Sequence, residues 1–313
     1  MSKLQVVTNM SDYHSEVHTG VGLGNFDGLH IGHMALIGTL INECRLNGLS
    51  PVVYTFNKHT GNMLRKNLDS PLITTNEQKK AILGAMDIDT LCYQEFNETF
   101  SHLSPEEFVR NVLVDRLQIR LAVVGFNYRF GYMGKGDTEL LKKYGDQWGF
   151  KTIVVPPVKV NSEIVSSTLI REYIKKGKME RVFQLLGRYF SLCGKVVDGR
   201  KIGRTLGFPT ANILAHEKMV VPAHGVYITK TRVGNRWHNG ITNVGIAPTI
   251  REGHAFSIET HLLDYNEDIY GQEIEVCFVR KLRGEKRFET VEVLKKQVAE
   301  DILETKRYWD ILR

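Results

Sequence analysis

The order of apolar and polar residues divides the chain into two parts with different patterns. From Gly20 to about Gly187, short β-branched runs alternate with helical stretches. This alternation is typical of a parallel sheet covered by helices. The strands predicted in this part are residues 21–23, 52–56, 121–124 and 152–155. The first part is therefore predicted to be an α/β domain.

Two helices of the first part are predicted from local signals. One has apolar residues at helical spacing, which are Met34, Ile37, Leu40, Ile41 and Cys44. The other begins with Ser104 as N-cap, Pro105 at the first helical position and Glu107 as the capping-box residue. Both helices lie between predicted strands, as a parallel sheet requires.

After Gly187 the chain changes to strands separated by turns. Strands are predicted at residues 192–197, 226–233, 237–244, 255–263 and 273–282, and the pair Gly234-Asn235 fits a hairpin turn. One long helical pattern follows at residues 290–312. The second part is therefore predicted to be an antiparallel β-barrel with a terminal helix. Together the patterns predict two domains, residues 1–186 and 187–313.

The amino-acid composition indicates which kinds of partner and which cellular compartment to expect. The 313 residues include 42% hydrophobic residues and carry a formal charge of +6. Lys and Arg alternate with Asp and Glu, which argues against a nucleic-acid-binding face. Four scattered cysteines indicate a reducing compartment, and no apolar run has the length of a signal peptide or membrane span. We expect a cytoplasmic protein with no membrane partner; oligomeric state is left open.

A glycine-rich segment near the N-terminus is the first candidate site. It follows a predicted strand, precedes the first helix, and consists of Gly24, Asn25, Phe26, Asp27 and Gly28. Glycines there let backbone N–H groups approach a phosphate at a helix N-terminus. His30 and His33, three residues apart, share a face and can donate to a triphosphate. Taken alone, such histidines are more often surface or capping residues.

Two later segments supply polar groups at similar positions. A predicted helix opens with the hydroxyls of Ser166, Ser167 and Thr168, and Arg171 follows one turn later, where both can reach phosphate. Asn127 follows the end of an apolar strand, where open α/β sheets bind ligands. The simpler alternatives are an ordinary N-cap with a solvated arginine, and a plain turn.

The second part contains its own candidates. A loop punctuated by Gly199 and Gly203 and flanked by cations such as Arg204 can fold over phosphates, although spaced glycines in a β-rich domain usually mark turns. Glu259 lies on a predicted strand, on the face opposite Ile258 and Leu262. An exposed strand glutamate is the simpler interpretation.

These motifs jointly resemble the prokaryotic bifunctional riboflavin kinase/FAD synthetases over nearly the whole chain. The three N-terminal segments look like the adenylyltransferase module. The C-terminal part looks like the riboflavin kinase module in several stretches, namely Pro209-Thr210-Ala211-Asn212, residues 243–249, Glu259-Thr260-His261, Tyr270-Gly271 and residues 282–286. The resemblance implies a Rossmann-like nucleotidyltransferase domain followed by a kinase barrel.

The resemblance also implies roles for individual residues. His30, His33 and the 166–171 segment would contact ATP phosphates, with Asn127 and His59 beside nucleotide or flavin. Thr210 and Asn212 would hold Mg²⁺ with ATP, and Glu259 would be the base on the ribityl hydroxyl. The loop from Gly199 would cover phosphates, and Arg283 is a candidate for the flavin site. The small-molecule partners would be ATP, riboflavin, FMN and FAD.

One departure from the family pattern leaves alternatives open. The usual Thr-Phe-x-Pro-His-Pro stretch appears as Thr55-Phe56-Asn57-Lys58-His59-Thr60, which keeps the histidine and loses both prolines. Loss of proline makes a loop less rigid. The alternatives are that only one module is active, the adenylyltransferase being the more doubtful, or that the chain is a flavin-binding regulatory protein without turnover.

Overall fold

The structure is a computed structural model that describes residues 4–57, 70–198, 207–216, 218–246 and 256–311. Contacts between residues divide the chain into two compact units, Met1–Ser167 and Thr168–Arg313. Each unit has its own sheet, so each is described separately. The helix Ser167–Lys175 crosses the division, and its first residue is the last of the first unit.

The first unit contains a six-stranded, wholly parallel sheet in the order β1-β4-β3-β2-β5-β6. Its strands are β1 Gln5–Val7, β2 Thr19–Leu23, β3 Ser50–Phe56, β4 Thr90–Gln94, β5 Ile119–Gly125 and β6 Lys151–Val155. A small antiparallel hairpin, β7 Lys159–Val160 and β8 Glu163–Ile164, follows. The predicted parallel sheet and its four predicted strands are confirmed; β1 and β4 were not predicted.

Helices cover this sheet. They are α1 Ile31–Asn47, α2 Asn76–Gly84, α3 Glu98–Ser101, α4 Pro105–Glu107 and α5 Thr138–Trp148; α4 continues as a π-helix, Phe108–Val114, and a 3₁₀ turn spans Tyr132–Gly134. The predicted capping box of Ser104 and Glu107 is present. Helix α1 buries Leu36, Ile37 and Leu40 against the sheet. Alternate strand residues such as Val52 and Val53 serve two separate cores, one on each face of the sheet.

The ends of three neighbouring strands position the first candidate site. Strands β3, β2 and β5 are adjacent and parallel, so their carboxyl ends meet at one edge of the sheet. The segment from Gly24 to His30 leaves β2 there, and Asn127 follows β5 there. This edge is where open α/β sheets bind ligands.

The second unit contains a closed antiparallel barrel in the order β10-β13-β12-β11-β14-β9. Its strands are β9 Phe190–Val197, β10 Ala211–Ala215, β11 Gly225–Val233, β12 Arg236–Ile246, β13 Phe256–Leu262 and β14 Glu273–Arg283. Its helices are α6 Ser167–Lys175, α7 Met179–Leu186 and α8 Val291–Ile311. The predicted barrel, the terminal helix and the Gly234-Asn235 hairpin turn are confirmed; strand β10 was not predicted.

Buried threonines occupy the barrel interior beside aliphatic side chains. The hydroxyls of Thr229 and Thr242 are 2.8 Å apart, and that of Thr242 donates to Thr260 over 2.8 Å. All three residues are fully buried. Because a buried hydroxyl without a partner costs free energy, this chain of hydrogen bonds keeps a polar interior stable.

An ion pair fastens the terminal helix to the barrel. The guanidinium of Arg283, at the end of β14, donates from Nη2 to Asp301 Oδ2 on α8 over 2.7 Å and from Nε to Oδ1 over 3.0 Å. Only 5% of the Asp301 side chain is exposed. Gln297 adds a further hydrogen bond to the same carboxylate. Both charges are therefore compensated by a bidentate contact in a largely dry position.

Replacing Asp301 by Ala is expected to lower the free energy of unfolding by about 3 kcal/mol, because it leaves the Arg283 charge buried without its partner. Denaturant unfolding monitored by far-UV circular dichroism measures the change. The control is Asp87→Ala, which breaks the exposed pair Arg45–Asp87 and should cost less than about 1 kcal/mol. Equal effects of the two substitutions would contradict a stabilising role for the buried pair.

Candidate active sites

The turn between β2 and α1 has an unusual backbone. Phe26, Gly28 and Leu29 all have positive φ, at 47°, 83° and 38°. Phe26 and Leu29 are fully buried despite this conformation. A Cβ on Gly28 would lie 3.2 Å from Ile73 side-chain atoms. Such strained residues persist only where surrounding contacts hold them.

Hydrogen bonds from the chain before α2 hold this turn. The Asp27 carboxylate accepts from the backbone N–H of Ile73 (3.0 Å) and of Thr74 (3.2 Å). The Gly28 N–H donates to the Thr74 hydroxyl over 3.0 Å. Asp27 and Gly28, predicted as nucleotide-binding residues, thus make contacts that fix the shape of the turn. Gly24 and Asn25 lie at its start, and Asn25 is exposed.

The two predicted histidines lie together at the start of α1. His30 is the N-cap, and its Nδ1 accepts from the His33 backbone N–H over 3.2 Å. The two rings stack with centroids 3.6 Å apart, and the Phe26 ring meets His33 edge-on at 5.2 Å. Because Nδ1 of His30 accepts, the neutral ring carries its proton on Nε2. A donor at a helix N-terminus suits an anionic ligand.

The predicted hydroxyl segment reaches the same turn through Ser167. Its Oγ donates to the Asp27 carbonyl over 2.8 Å. Ser166 precedes helix α6 and is half-buried. Thr168 and Arg171 follow in α6 and belong to the second compact unit. Of this segment, Ser167 therefore contacts the turn, and Ser166 precedes it in the chain.

Asn127 lies in the exposed turn that leaves β5. The backbone N–H of Phe126 donates to Val155 on β6 over 3.1 Å, and that of Tyr128 donates to Gly125 over 3.0 Å. Phe126 itself is 43% exposed. The turn is fixed by its backbone while Asn127 and Phe126 face solvent near the end of β2. His59, with its neighbours Lys58 and Thr60, lies outside the described residues.

The second site is a row of polar residues across three barrel strands. Glu259 on β13 is paired with Asn212 on β10 and with Asn243 on β12. Directly paired antiparallel residues place their side chains on the same face, about 5 Å apart. Ser257, two residues before Glu259 on the same face, donates to its Oε1 over 3.3 Å. Ile258 and Thr260 are buried on the opposite face.

Thr210 lies beside this row, at the entrance of β10. His261 Nδ1 donates to the Pro209 carbonyl over 2.8 Å and so holds the residue before Thr210 against β13. An open cleft of about 260 Å³ adjoins this point. Its lining includes Thr210, Thr260, Tyr265, Asp268 and Tyr270. Gly199, Gly203 and Arg204 lie outside the described residues.

Arg283 is positioned differently from the other candidates. Most of its donors are used by Asp301 and by the Gly284 carbonyl. Its guanidinium also lies 5.8 Å from the centre of the Phe288 ring. The structure therefore assigns Arg283 a role in fastening α8; its assignment to a flavin site stays a prediction.

Sequence reasoning did not find the residues that support the first site. Lys79, Thr74 and Thr55 contact the turn from α2, from the chain before it and from β3. Lys79 carries a signal that the structure makes visible, since it occupies a position of α2 that is buried together with Leu83. A lysine four residues before a buried leucine is a weak signal in the sequence alone.

The described residues limit two further possibilities. Among them, no helix is both long and apolar enough to cross a membrane. In the same part of the chain, no group of three or more His, Cys, Asp or Glu side chains is arranged to hold a metal ion. Hydroxyl and amide oxygens, which lie outside this set of side chains, are also ligands that Mg²⁺ accepts.

Comparison with known proteins identifies two family regions in the chain. Residues 13–169 match the FAD synthetase family, and residues 186–309 match the riboflavin kinase family. The intervening residues include most of α6 and α7. Each match therefore covers one of the two candidate sites.

Curated relatives match over the full length. A bifunctional riboflavin kinase/FMN adenylyltransferase from Buchnera aphidicola is 34% identical, with 99% of both chains covered. One from Listeria monocytogenes is 36% identical, with 96% of this chain and 95% of the relative covered. A solved structure described as a macrolide-efflux protein from Streptococcus pneumoniae is 30% identical, has a TM-score of 0.89 and covers 97% of this chain and 98% of that one.

Proposed function

From the premise that the chain belongs to the bifunctional riboflavin kinase/FMN adenylyltransferase family, we propose which residues carry each of its two reactions. The chain is an enzyme that phosphorylates riboflavin to FMN and adenylylates FMN to FAD, with ATP as the other substrate. We assign the adenylyl transfer to residues 1–186 and the phosphorylation to residues 187–313. The observation that supports this assignment is that the FAD synthetase match contains the turn and both histidines, whereas the riboflavin kinase match contains the row around Glu259.

In the kinase reaction, Glu259 accepts the proton of the ribityl hydroxyl. The hydroxyl oxygen forms a bond to the γ-phosphorus of ATP as the bond to the β-phosphate oxygen breaks and ADP leaves. An alcohol must lose its proton during this step, and a carboxylate within reach is a suitable base. Ser257 orients Glu259 by donating to Oε1. The cleft beside Thr210 is of a size to take part of a nucleotide.

Thr210 and Asn212 would hold Mg²⁺ with the ATP phosphates. The threonine hydroxyl and the asparagine amide oxygen are hard ligands of the kind that Mg²⁺ accepts, and Asn212 is paired with Glu259. When bound, the ion supplies positive charge that neutralises the phosphate oxygens. The chain contributes two of its ligands and leaves the remainder to phosphate and water.

In the adenylyl transfer, a phosphate oxygen of FMN attacks the α-phosphorus of ATP, and the bond to the departing pyrophosphate breaks. A phosphate nucleophile is largely ionised near neutral pH, so no strong base is needed. The turn at Gly24–Gly28, the Nε2 donor of His30 and the imidazole of His33 stabilise the charge of the leaving group. Ser166, Thr168 and Arg171 add donors, and Asn127 lies at the edge where flavin or nucleotide binds.

All four cysteines carry thiols, and three of them are buried. We place the protein in the cytoplasm. Burial raises the pKa of the Cys92 thiol to about 12 and that of the Cys44 thiol to about 11. Thiols with such pKa values are protonated and inert at neutral pH. Neither of these two thiols therefore takes part in the chemistry.

Product chromatography tests the assignment directly. Riboflavin, ATP and Mg²⁺ should give FMN first and FAD later, with ADP and pyrophosphate released in the two steps. FMN supplied in place of riboflavin should give FAD and pyrophosphate without ADP. FMN accumulating with no FAD would support the single-activity alternative, and flavin binding without ATP consumption would support the regulatory one.

A further inference from the structure

We propose that Lys79 is a positioning residue of the adenylyltransferase site, whose ammonium group holds the Gly24–Gly28 turn in its phosphate-binding shape from behind. The inference rests on the proposed function of the first unit. It assigns a role to a buried charge that takes no direct part in either reaction.

Lys79 lies on α2 and is only 5% exposed. Its Nζ donates to the Asn25 carbonyl over 3.1 Å and lies 3.4 Å from the Thr55 hydroxyl. Lysine is almost never fully buried unless its charge is compensated. A buried ammonium directed at a backbone carbonyl of a candidate phosphate site therefore needs an explanation beyond packing.

Hydrogen bonds join the turn both to helix α2 and to the residues just before it. Lys79 binds the Asn25 carbonyl, while the residues just before α2, Ile73 and Thr74, donate to the Asp27 carboxylate. The Thr75 capping box fixes where α2 begins. The helix, its cap and the turn thus form one connected unit, to which Lys79 contributes a cation.

The hydrogen bond from Lys79 to the Asn25 carbonyl sets the direction of the peptide group between Asn25 and Phe26. The Asn25 carbonyl and the Phe26 N–H belong to one planar trans peptide and point in opposite directions. With the carbonyl held toward Lys79, the Phe26 N–H is directed to the other side of the turn. Phe26 also has a φ of 47°, a conformation that needs support from surrounding contacts.

The charge of Lys79 adds to the effect of its geometry. Burial lowers the pKa of its ammonium group to about 8, and the nearby Asp27 carboxylate opposes this shift. Tyr93 on β4 also faces Lys79: its ring centre is 5.8 Å from Nζ, and burial raises the pKa of its hydroxyl. Lys79 is therefore mostly protonated at pH 7 and places a positive charge behind the turn, where it favours a bound anion.

The effect of replacing Lys79 on folding stability distinguishes a positioning role from ordinary packing. Because the pKa of Lys79 is lower in the folded protein than in the unfolded chain, the proton costs stability at neutral pH. That cost is present below about pH 8 and is relieved as the pH rises toward the ordinary lysine value of 10.5. A methionine of similar length removes the buried charge, and Thr55 still donates to the Asn25 carbonyl. Lys79→Met should therefore leave the melting temperature unchanged or raise it.

Steady-state kinetics of FAD formation from FMN tests the proposal in the full-length chain. Lys79→Met should raise KM for ATP by about tenfold with a smaller change in kcat, since it weakens phosphate binding. Wild-type kcat/KM should fall from about pH 7 to about pH 9 with a midpoint near 8, and this fall should be absent in the variant. Lys80→Met, at the exposed neighbouring position of α2, is the matched control.

The outcomes are distinguishable. A KM for ATP within about twofold of wild type, with the wild-type pH profile retained, would overturn the role of Lys79. A lower melting temperature with unchanged kinetics would overturn it too and make Lys79 a packing residue. Riboflavin phosphorylation by the same preparation should not change. Failure of the unsubstituted chain to form FAD would overturn the proposed adenylyl transfer, and this inference with it.

Discussion

Glu259→Gln is expected to reduce riboflavin phosphorylation by about 10² to 10⁴-fold while FAD formation from supplied FMN stays near the wild-type rate. Glutamine keeps the shape of the side chain and can still accept from Ser257, but it cannot accept the ribityl proton. Since Asn212 and Asn243 flank Glu259 on paired strands, the row itself should persist. Separate assays of ADP and pyrophosphate release measure the two reactions.

The control for this substitution is Glu273→Gln, at the exposed first residue of β14. It removes one carboxylate from the same barrel and should change both reactions by less than about twofold. Equal loss of the two activities in Glu259→Gln would contradict separate sites. Full kinase activity in Glu259→Gln would remove Glu259 from the mechanism and leave its row as a structural feature of the barrel.

Local pattern predicted four of the six strands of the parallel sheet and five of the six strands of the barrel. Strand β10 is short, and its residues were interpreted as part of a site motif. Its pairing with β9 and β13 closes the barrel, and closure depends on contacts between residues far apart in sequence. Strand β1 has only three residues, and it pairs with β4, which is distant in the chain.

In the two sites as well, some residues can be predicted from the sequence and others cannot. Residues inside a compact motif, such as His30 and Glu259, carry a local signal. Supporting residues do not, because their partners are distant in the chain: Thr74 is 46 residues from Gly28, and Ser167 is 140 from Asp27. For Arg283, the family resemblance indicates a flavin site, and the structure shows a distant residue, Asp301, as a partner of its guanidinium. Long-range pairing is set by the fold, which single-sequence patterns describe only coarsely.

Described residues outside the stretch that departs from the family pattern support the Gly24–Gly28 turn. The turn is held by α2 through Lys79, by the chain before α2 through Thr74, by β3 through Thr55, and by Ser167 at the start of α6. All of these contacts lie outside the stretch of residues 58–60, where the family prolines are replaced.

His30→Asn combined with His33→Ala is expected to lower FAD formation from FMN by at least about 10²-fold, because each histidine supplies a donor to the developing charge. Asparagine is chosen at position 30 because His30 is also the N-cap of α1. Asparagine is a good N-cap, whereas His30→Ala would lose the cap and about 1 kcal/mol of stability. Loss of activity with an unchanged melting temperature then reports on chemistry and not on folding.

His14→Ala, at an exposed position of the same unit, is the matched control and should leave FAD formation within about twofold of wild type. Riboflavin phosphorylation by the double variant should also be unchanged, since the residues assigned to it lie on the barrel. FAD formation within about threefold of wild type in the double variant would remove both histidines from the phosphate site. The stacked imidazoles would then serve only to begin helix α1.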